Sequence, residues 1–363
     1  MNILFVDRNA KIGGGSTYLR TLVPALTQSG HACFLVSGGG SSFSQVRPVF
    51  QATANHPPLP VLASMAVSRA LERWSIDVVV TQTLNSAIHA LGACRRAGVP
   101  LVMNIHSKRD MRAGAEAVAY ASRVVAMNKG TADHLRAQLP EYAHKVHQSV
   151  LPVDCTHFSP EPREDTPDFT VVHCCRLSRT KGAQVFATMS AVQALLPELP
   201  DLRLMVVGGV GDRLRKVRDA AARINVARDT MAVTAPGQVD DPRPYLQQAD
   251  LVLGAGYVAL EALAMNRRVL GVGFEGVWGL VDPENFGQAQ AANFGDTGAQ
   301  NPDPDPEVIV GLIRTAHALH REQGQIGWGN ALVCAACDPA TVAQEMARIY
   351  SEAMSGAATS AGE

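Results

Sequence analysis

The feature that most constrains this chain is a recurrence. A short apolar run leads into a glycine-rich or polar turn, then an apolar-striped helix, then another short apolar run. Asn2 to Val6 is followed by Gly13-Gly14-Gly15, then by Leu19, Leu22, Val23 and Leu26 at i, i+3, i+4 and i+7, the stripe of a helix with one buried face. Gly30 closes that helix, because a residue free to adopt positive φ ends a last turn well. The pattern predicts strands at Ala32 to Val36, Asp77 to Thr81, Val99 to Ile105 and Arg123 to Met127. Helices fall between them, at Val61 to Leu71, Ser86 to Ala97, and from an Asn128 N-cap to Leu139. A second series has strands at Phe169 to Cys174, Leu202 to Val207, Leu251 to Leu253 and Arg268 to Val272. Its helices are Gln184 to Leu196, Arg213 to Ile224 and Val258 to Met265, and two more, Pro306 to Glu322 and Pro339 to Ala353, end the chain. Such alternation requires parallel strands covered by helices on both faces, an α/β architecture.

Residues 158–168 interrupt it with three prolines and four acidic residues, which cannot enter a sheet core. This predicts a linker between a first domain, 1–157, and a second, 169–338, as a length of 363 residues also suggests. The cleft between two such halves is the expected ligand site. Polar residues 287–305 read as a long loop. Lys plus Arg is 32 and Asp plus Glu 33, so no basic excess exists for a nucleic-acid backbone. No apolar run approaches the ~20 residues of a transmembrane segment, and Asp7, Arg8 and Lys11 interrupt the place of a signal peptide's apolar core. Seven cysteines, an odd number spread over the chain, make no disulfide framework. These features predict a soluble cytoplasmic protein, free or at the inner face of a membrane.

Four constellations carry chemistry. Gly13-Gly14-Gly15 sits between a strand and a helix, where backbone amides can approach a phosphate or sugar; a plain tight turn has the same signature. It fits neither G-x-G-x-x-G nor G-x-x-x-x-G-K-[ST], which weighs against a nicotinamide dehydrogenase and a P-loop ATPase. Arg176 and Lys181-Gly182 follow the strand ending at Cys174, a planar fork and a mobile point charge suited to a diphosphate, or else a solvated turn. Gly254-Ala255-Gly256 leads into an apolar helix on which Glu261 lies one turn from Tyr257; a carboxylate among apolar neighbours needs a partner, and ribose hydroxyls would serve. His106 ends a strand, where open α/β sheets hold ligands. Cys334-x-x-Cys337, Cys174 and Cys175 read as packing residues, and His144, His147, His317 and His320 as surface histidines. Asp303-Pro304-Asp305 lacks a preceding strand and is set aside as a metal motif.

In order and spacing these features resemble the retaining glycosyltransferases of family 4, with the GT-B fold, across nearly the whole chain. Met1 to Val6 through Gly13-Gly14-Gly15 to Gly30-His31 resembles the family's first strand, glycine loop and "GH" turn. Val99 to Val102 through His106 is similar to the stretch ending in its active-site histidine. Val153-Asp154 with Phe158 resembles "NGVD…F", and Cys175-Arg176-Leu177 with Lys181-Gly182 resembles "GRL…KG". Leu204 to Val207 with Gly208 and Gly211 resembles the "lvivGdG" strand and turn. Glu261 matches the second Glu of the Glu-x7-Glu signature, but Leu253 stands where the first would be. Leu151-Pro152 replaces "NG", and Cys175 replaces a glycine.

The resemblance implies two Rossmann-like domains, with a final helix over 339–355 crossing back to the first and a flexible tail over 356–363. It implies His106, Arg176 and Lys181 as catalytic residues. Gly14, Gly15, Arg176, Lys181, Gly209, Tyr257, Glu261, Gly276 and Val277 would bind the donor, the turn Gly273 to Val277 through its amides. A nucleotide-diphosphate sugar would be the co-substrate, with no metal or other cofactor. The acceptor would be a polysaccharide, a lipid-linked precursor or a small metabolite. The missing first Glu leaves two alternatives: a sugar-nucleotide-binding or scaffold protein without catalysis, and a sugar-nucleotide epimerase or hydrolase.

Overall fold

A computed structural model describes residues 1–8, 13–38, 43–162, 166–303 and 305–360. These form two compact units, Met1–Pro152 with the segment from Cys337, and Val153–Ala336. Unit one runs β1 (Asn2–Asp7), α1 (Gly14–Gln28), β2 (Ala32–Ser37), α2 (Phe43–Val46), β3 (Ala52–Asn55), α3 (Pro60–Trp74), β4 (Val78–Thr81). It continues with α4 (Leu84–Ala97), β5 (Leu101–Ile105), α5 (Ala115–Tyr120), β6 (Arg123–Ala126), α6 (Lys129–Gln138) and β7 (Val146–Gln148). Unit two runs β8 (Phe169–Cys174), α7 (Arg179–Leu195), β9 (Leu202–Val207), α8 (Gly211–Arg228), β10 (Val233–Gly237), α9 (Arg243–Gln247) and β11 (Leu251–Gly254). After it come α10 (Tyr257–Ala264), β12 (Arg268–Val272), β13 (Val277–Leu280), α11 (Phe286–Ala291), α12 (Pro306–Gln323) and α13 (Gly329–Cys337). The last helix, α14 (Pro339–Ser360), belongs to unit one.

The sheet of unit one has the order β3-β2-β1-β4-β5-β6-β7 and that of unit two β10-β9-β8-β11-β12-β13. All pairs are parallel except the edge pair β12–β13. Each unit therefore starts on a central strand and changes direction once, the Rossmann pattern expected. The central strands, such as Val78–Thr81, are buried on both faces, as their near-continuous Val and Leu demand. Polar caps set the helix ends: Asn128 accepts a hydrogen bond from the Thr131 amide at 2.8 Å, and Gly98 ends α4 at φ 65.

Helix α14 crosses back to unit one, packing on α1, β4 and β5 through buried Val342, Ala343, Met346, Ile349, Tyr350 and Ala353. Its Glu345 bonds His147 at 2.8 Å and accepts from the Ser149 hydroxyl at 3.0 Å. The helix runs to Ser360 rather than stopping at 355; 361–363, and 163–165 of the expected linker, lie outside the described residues, as do Lys11 and Pro304. The division between units falls at Pro152, ahead of residues 158–168. Residues 287–305 are not a plain loop: α11 and a 3-10 turn over Asn293–Gly295 lie in and around them. Buried Phe286, Ala289 and Phe294 hold that polar stretch to the core. Among the described residues no helix is long and apolar enough to cross a membrane.

Candidate active site

The strand order of unit two reverses between β8 and β11, so the turns leaving their C-terminal ends diverge there and open a crevice. The turn after β8 carries Arg176 and Lys181. Ser178 caps α7 by accepting from the Lys181 amide at 3.1 Å, which fixes the start of that helix. Arg176 is exposed, and its guanidinium has no ion-pair partner among the described residues. Lys181 is 13% exposed, with Nζ 2.8 Å from Asp296 Oδ1 and 4.5 Å from the centre of the Phe274 ring. Asp296 Oδ1 also accepts from the Phe274 amide at 2.9 Å. One carboxylate therefore ties α7 to the turn after β12. Sequence reasoning missed Asp296, which stands in a polar stretch with no motif; its one signal was the need of Lys181 for a counter-charge.

The neighbouring turns pack backbone to backbone. A Cβ at Gly208 would stand 2.1 Å from the Cys175 carbonyl oxygen, and one at Gly209 (φ +83) 2.3 Å from Leu177 Cδ1. Gly209, expected at the donor, is thus also needed to seat the β9 turn against the β8 turn. Asn293, Phe294 and Gly295 are three successive residues with left-handed φ of 49°, 55° and 102°. Their carbonyls accept from the Gly256 amide at 3.4 Å, through Asn293, and from the Glu275 amide at 2.9 Å, through Gly295. A fully buried Phe at positive φ costs on the order of 1–3 kcal/mol, and such strain collects where a site over-determines its backbone. Here it lies between the turns that follow β11 and β12.

Glu261 (5% exposed) and Tyr257 (7%) are both buried on α10, as the apolar sequence around them requires. Leu253 is fully buried within β11, paired with His173 and Leu270, so the position eight residues before Glu261 belongs to the core. In the turn after β12 the amides of Phe274, Glu275 and Val277 are bonded to Asp296, Gly295 and Asn301. The Val277 N–H, expected at the donor sugar, donates to the Asn301 carbonyl at 2.8 Å. Gly276 is buried in the same turn, where a Cβ would stand 2.1 Å from the Asn301 oxygen. Burial pushes the Cys175 thiol up to about 12, which makes it a neutral packing group, like buried Cys174 and Cys337.

Unit one holds the other assigned residues. His106 follows β5 and shares a hydrogen bond with Gln82 Oε1 at 3.1 Å, Gln82 following β4. Its ring meets Tyr18 edge-on at 5.1 Å. Burial, then the charge of Arg109, pushes the His106 pKa down to about 4, so the ring is neutral near pH 7 and acts through hydrogen bonds. Gly14 and Gly15 open α1 after Gly13 at φ 144. The Ser16 hydroxyl closes that turn, donating to the Gly13 carbonyl at 2.8 Å. Among the described residues, a Cβ at Gly15 would meet nothing within 4 Å. The histidines expected on the surface divide. His147, His317 and His320 are half-buried against Glu345, Asp201 and Asp250, carboxylates brought from distant elements, whereas His144 is exposed.

Residues 12–156 match Glycosyltransferase Family 4, and residues 168–293 match Glycosyl transferases group 1. No curated protein matches the chain at the sequence level. Among solved structures, HepE of Anabaena in complex with UDP is similar at 17% identity and a TM-score of 0.71, covering 97% of this chain and 100% of that one. A glycosyltransferase of Rickettsia africae is similar at 14% identity and a TM-score of 0.76, over 97% of this chain and 98% of that one. Sucrose-phosphate synthase of Thermosynechococcus elongatus is similar at 16% identity and a TM-score of 0.73, over 98% and 100%. All but the last four residues of the first match lie on unit one, and the whole of the second lies on unit two. With two Rossmann-like units and a last helix that returns to the first, the chain belongs to the family 4 glycosyltransferases and has the GT-B fold.

Proposed function

We propose that this enzyme is a retaining transferase that moves a sugar from a nucleoside-diphosphate donor to an acceptor hydroxyl without a metal ion. The observation that carries this reading is the turn after β8, where an exposed Arg176, without an ion-pair partner among the described residues, and a nearly buried Lys181 share one strand-to-helix connection. Similar HepE is crystallised with UDP and with UDP-glucose, which supports a donor of this class. Glu261 would take the ribose hydroxyls, and Arg176 and Lys181 the diphosphate. As the bond from the anomeric carbon to the diphosphate oxygen breaks, its electron pair leaves with the diphosphate. The two cations stabilise that growing charge more in the transition state than in the ground state. The acceptor oxygen bonds to the anomeric carbon on the face the diphosphate leaves, its proton passing to the departing phosphate oxygen. Configuration is thereby kept. Neutral His106 would hold a sugar hydroxyl.

The test is release of nucleoside diphosphate from the best-binding of a panel of nucleotide sugars, with water or a supplied acceptor. Wild type releases it; Arg176→Ala binds the donor but turns over ~100-fold less or worse. Tight binding by wild type with no release to any acceptor would overturn the transfer reading. It would give buried Leu253 its simplest meaning, a binder that lacks the first Glu.

A further inference from the structure

The sheet of unit one changes direction between β1 and β4, so the crevice of this unit opens over the ends of those strands. Gln82 is the first residue past β4. Its backbone amide donates to the Val6 carbonyl at 3.0 Å, extending the β1–β4 pairing by one residue. Thr83, next in the chain, caps α4 by accepting from the Ser86 amide at 3.1 Å. Gln82 is thus held by the strand behind it and the helix ahead, and it is 3% exposed.

The side chain makes one contact and lacks another. Gln82 Oε1 lies 3.1 Å from Nε2 of His106, while Gln82 Nε2 is buried with no hydrogen-bond partner among the described residues. A buried unpaired amide is costly, and a methionine of the same reach would avoid that cost. Stability therefore does not account for a glutamine here; the contact with His106 does. An amide oxygen only accepts, so the ring nitrogen facing it carries a proton. Burial keeps His106 neutral, so the ring has a single proton to place. Placed on Nε2, it leaves Nδ1 with a lone pair, and among the described residues Nδ1 has no hydrogen-bond partner. Fully buried Tyr18 braces the ring, meeting it edge-on at 5.1 Å while its hydroxyl accepts from the Asn104 side chain at 3.5 Å.

We propose that Gln82 is a positioning residue of this enzyme. It fixes His106 as the Nε2–H tautomer, so that Nδ1 meets the donor sugar as an acceptor only and selects a hydroxyl that donates. The sugar as the bonded group rests on the transfer reading; the tautomer does not.

The test begins with nitrogen NMR of the histidine rings in the full chain without ligand, at about pH 8, where the rings are neutral. The His106 signals are identified by their loss in His106→Gln. Wild type shows a proton on Nε2 and none on Nδ1. Gln82→Met, of equal length but without an acceptor, releases the ring to a mixture of both tautomers, and Gln82→Glu, which restores an acceptor oxygen, returns it to Nε2–H. Turnover is then followed with whichever of UDP-glucose, UDP-galactose, UDP-N-acetylglucosamine and GDP-mannose wild type uses fastest. Gln82→Met lowers kcat/KM by ~10-fold, as losing one oriented hydrogen bond should, and Gln82→Glu recovers most of it. A wild-type proton on Nδ1, a Gln82→Met ring that keeps the wild-type tautomer, an unchanged kcat/KM, or no recovery in Gln82→Glu would each overturn the assignment. The wild-type spectrum needs neither a variant nor turnover, so the two readings fail separately. Nε2–H without sugar release to any acceptor fails the transferase alone, and release with the proton on Nδ1 fails the role of Gln82 alone.

Discussion

The contact that most sharply tests the donor site is the one between Lys181 and Asp296. The ammonium lies 2.8 Å and 3.1 Å from the two carboxylate oxygens, with exposures of 13% and 16%. A diphosphate that takes Lys181 must share it with this carboxylate and lie near a second negative charge. Asp296→Asn removes the charge but keeps an oxygen to accept from the Phe274 amide, so the turn after β12 holds its shape. A charge-assisted hydrogen bond of this kind contributes about 1.5–3 kcal/mol net. Freeing Lys181 from it should tighten nucleoside diphosphate binding by ~10-fold or more. The free nucleoside, which has no phosphate to offer, should bind as before. The assay is calorimetric titration with the best-binding of UDP, GDP and ADP, and with its nucleoside. Without ligand the variant should lose ~1 kcal/mol of stability, because its Lys181 is left without a counter-charge in a largely dehydrated place. Equal or weaker diphosphate binding, with the fold intact, would refute the reasoning and make the pair a purely structural tie.

Glu261→Gln should weaken nucleoside and nucleoside diphosphate binding alike by ~10-fold, as expected for losing hydrogen bonds to a charged group; unaltered nucleoside affinity would remove the ribose assignment. Glu345→Ala should destabilise unit one by ~1–3 kcal/mol in chemical denaturation, since it strips partners from His147 and Ser149 at once; no change would mean α14 is held by its apolar face alone. Burial keeps His173 neutral, with its pKa lowered from 6.5 to about 3, and His106 to about 4. The unfolded chain takes up protons near pH 6.5 that the folded rings refuse, so stability is full above that pH and is lost as pH falls below it. For His173, 1% exposed, the loss is roughly 1.4 kcal/mol per pH unit. Denaturation at about pH 7 and about pH 5 measures it, and equal stabilities would count against buried neutral rings.

What could be read in the sequence follows from where each element's stabilising contacts lie. β8 and β12 occur at the predicted residues because both their faces are largely buried, and β9 because its Leu and Val positions are; Val, Leu and Phe runs between turn residues say so directly. β3 reads Ala-Thr-Ala-Asn, and β10 contains Pro236. Each is an edge strand held by backbone pairing to one neighbour, and backbone pairing leaves little trace in side-chain type. β7 has three residues, and β13 is an antiparallel return that begins at Val277, the last residue of the expected glycine turn. The site divides the same way. Arg176, Lys181 and His106 could be named because they sit next to strand ends. Asp296 could not, because it meets Lys181 only through the tertiary fold. Val277 illustrates the same limit: sequence shows that an N–H exists, not that it donates to the Asn301 carbonyl.

The returning helix also decides when this protein can be finished. Met346 and Tyr350 fill the core that α1 and the strands of unit one leave open, yet they are made near the end of the chain. A ribosome must translate the whole of Val153–Ala336 before they emerge. Unit two is continuous in sequence and can close as soon as it clears the exit tunnel. The N-terminal half, made first, must wait with its apolar face uncovered. The usual N-to-C order of domain maturation is thereby inverted.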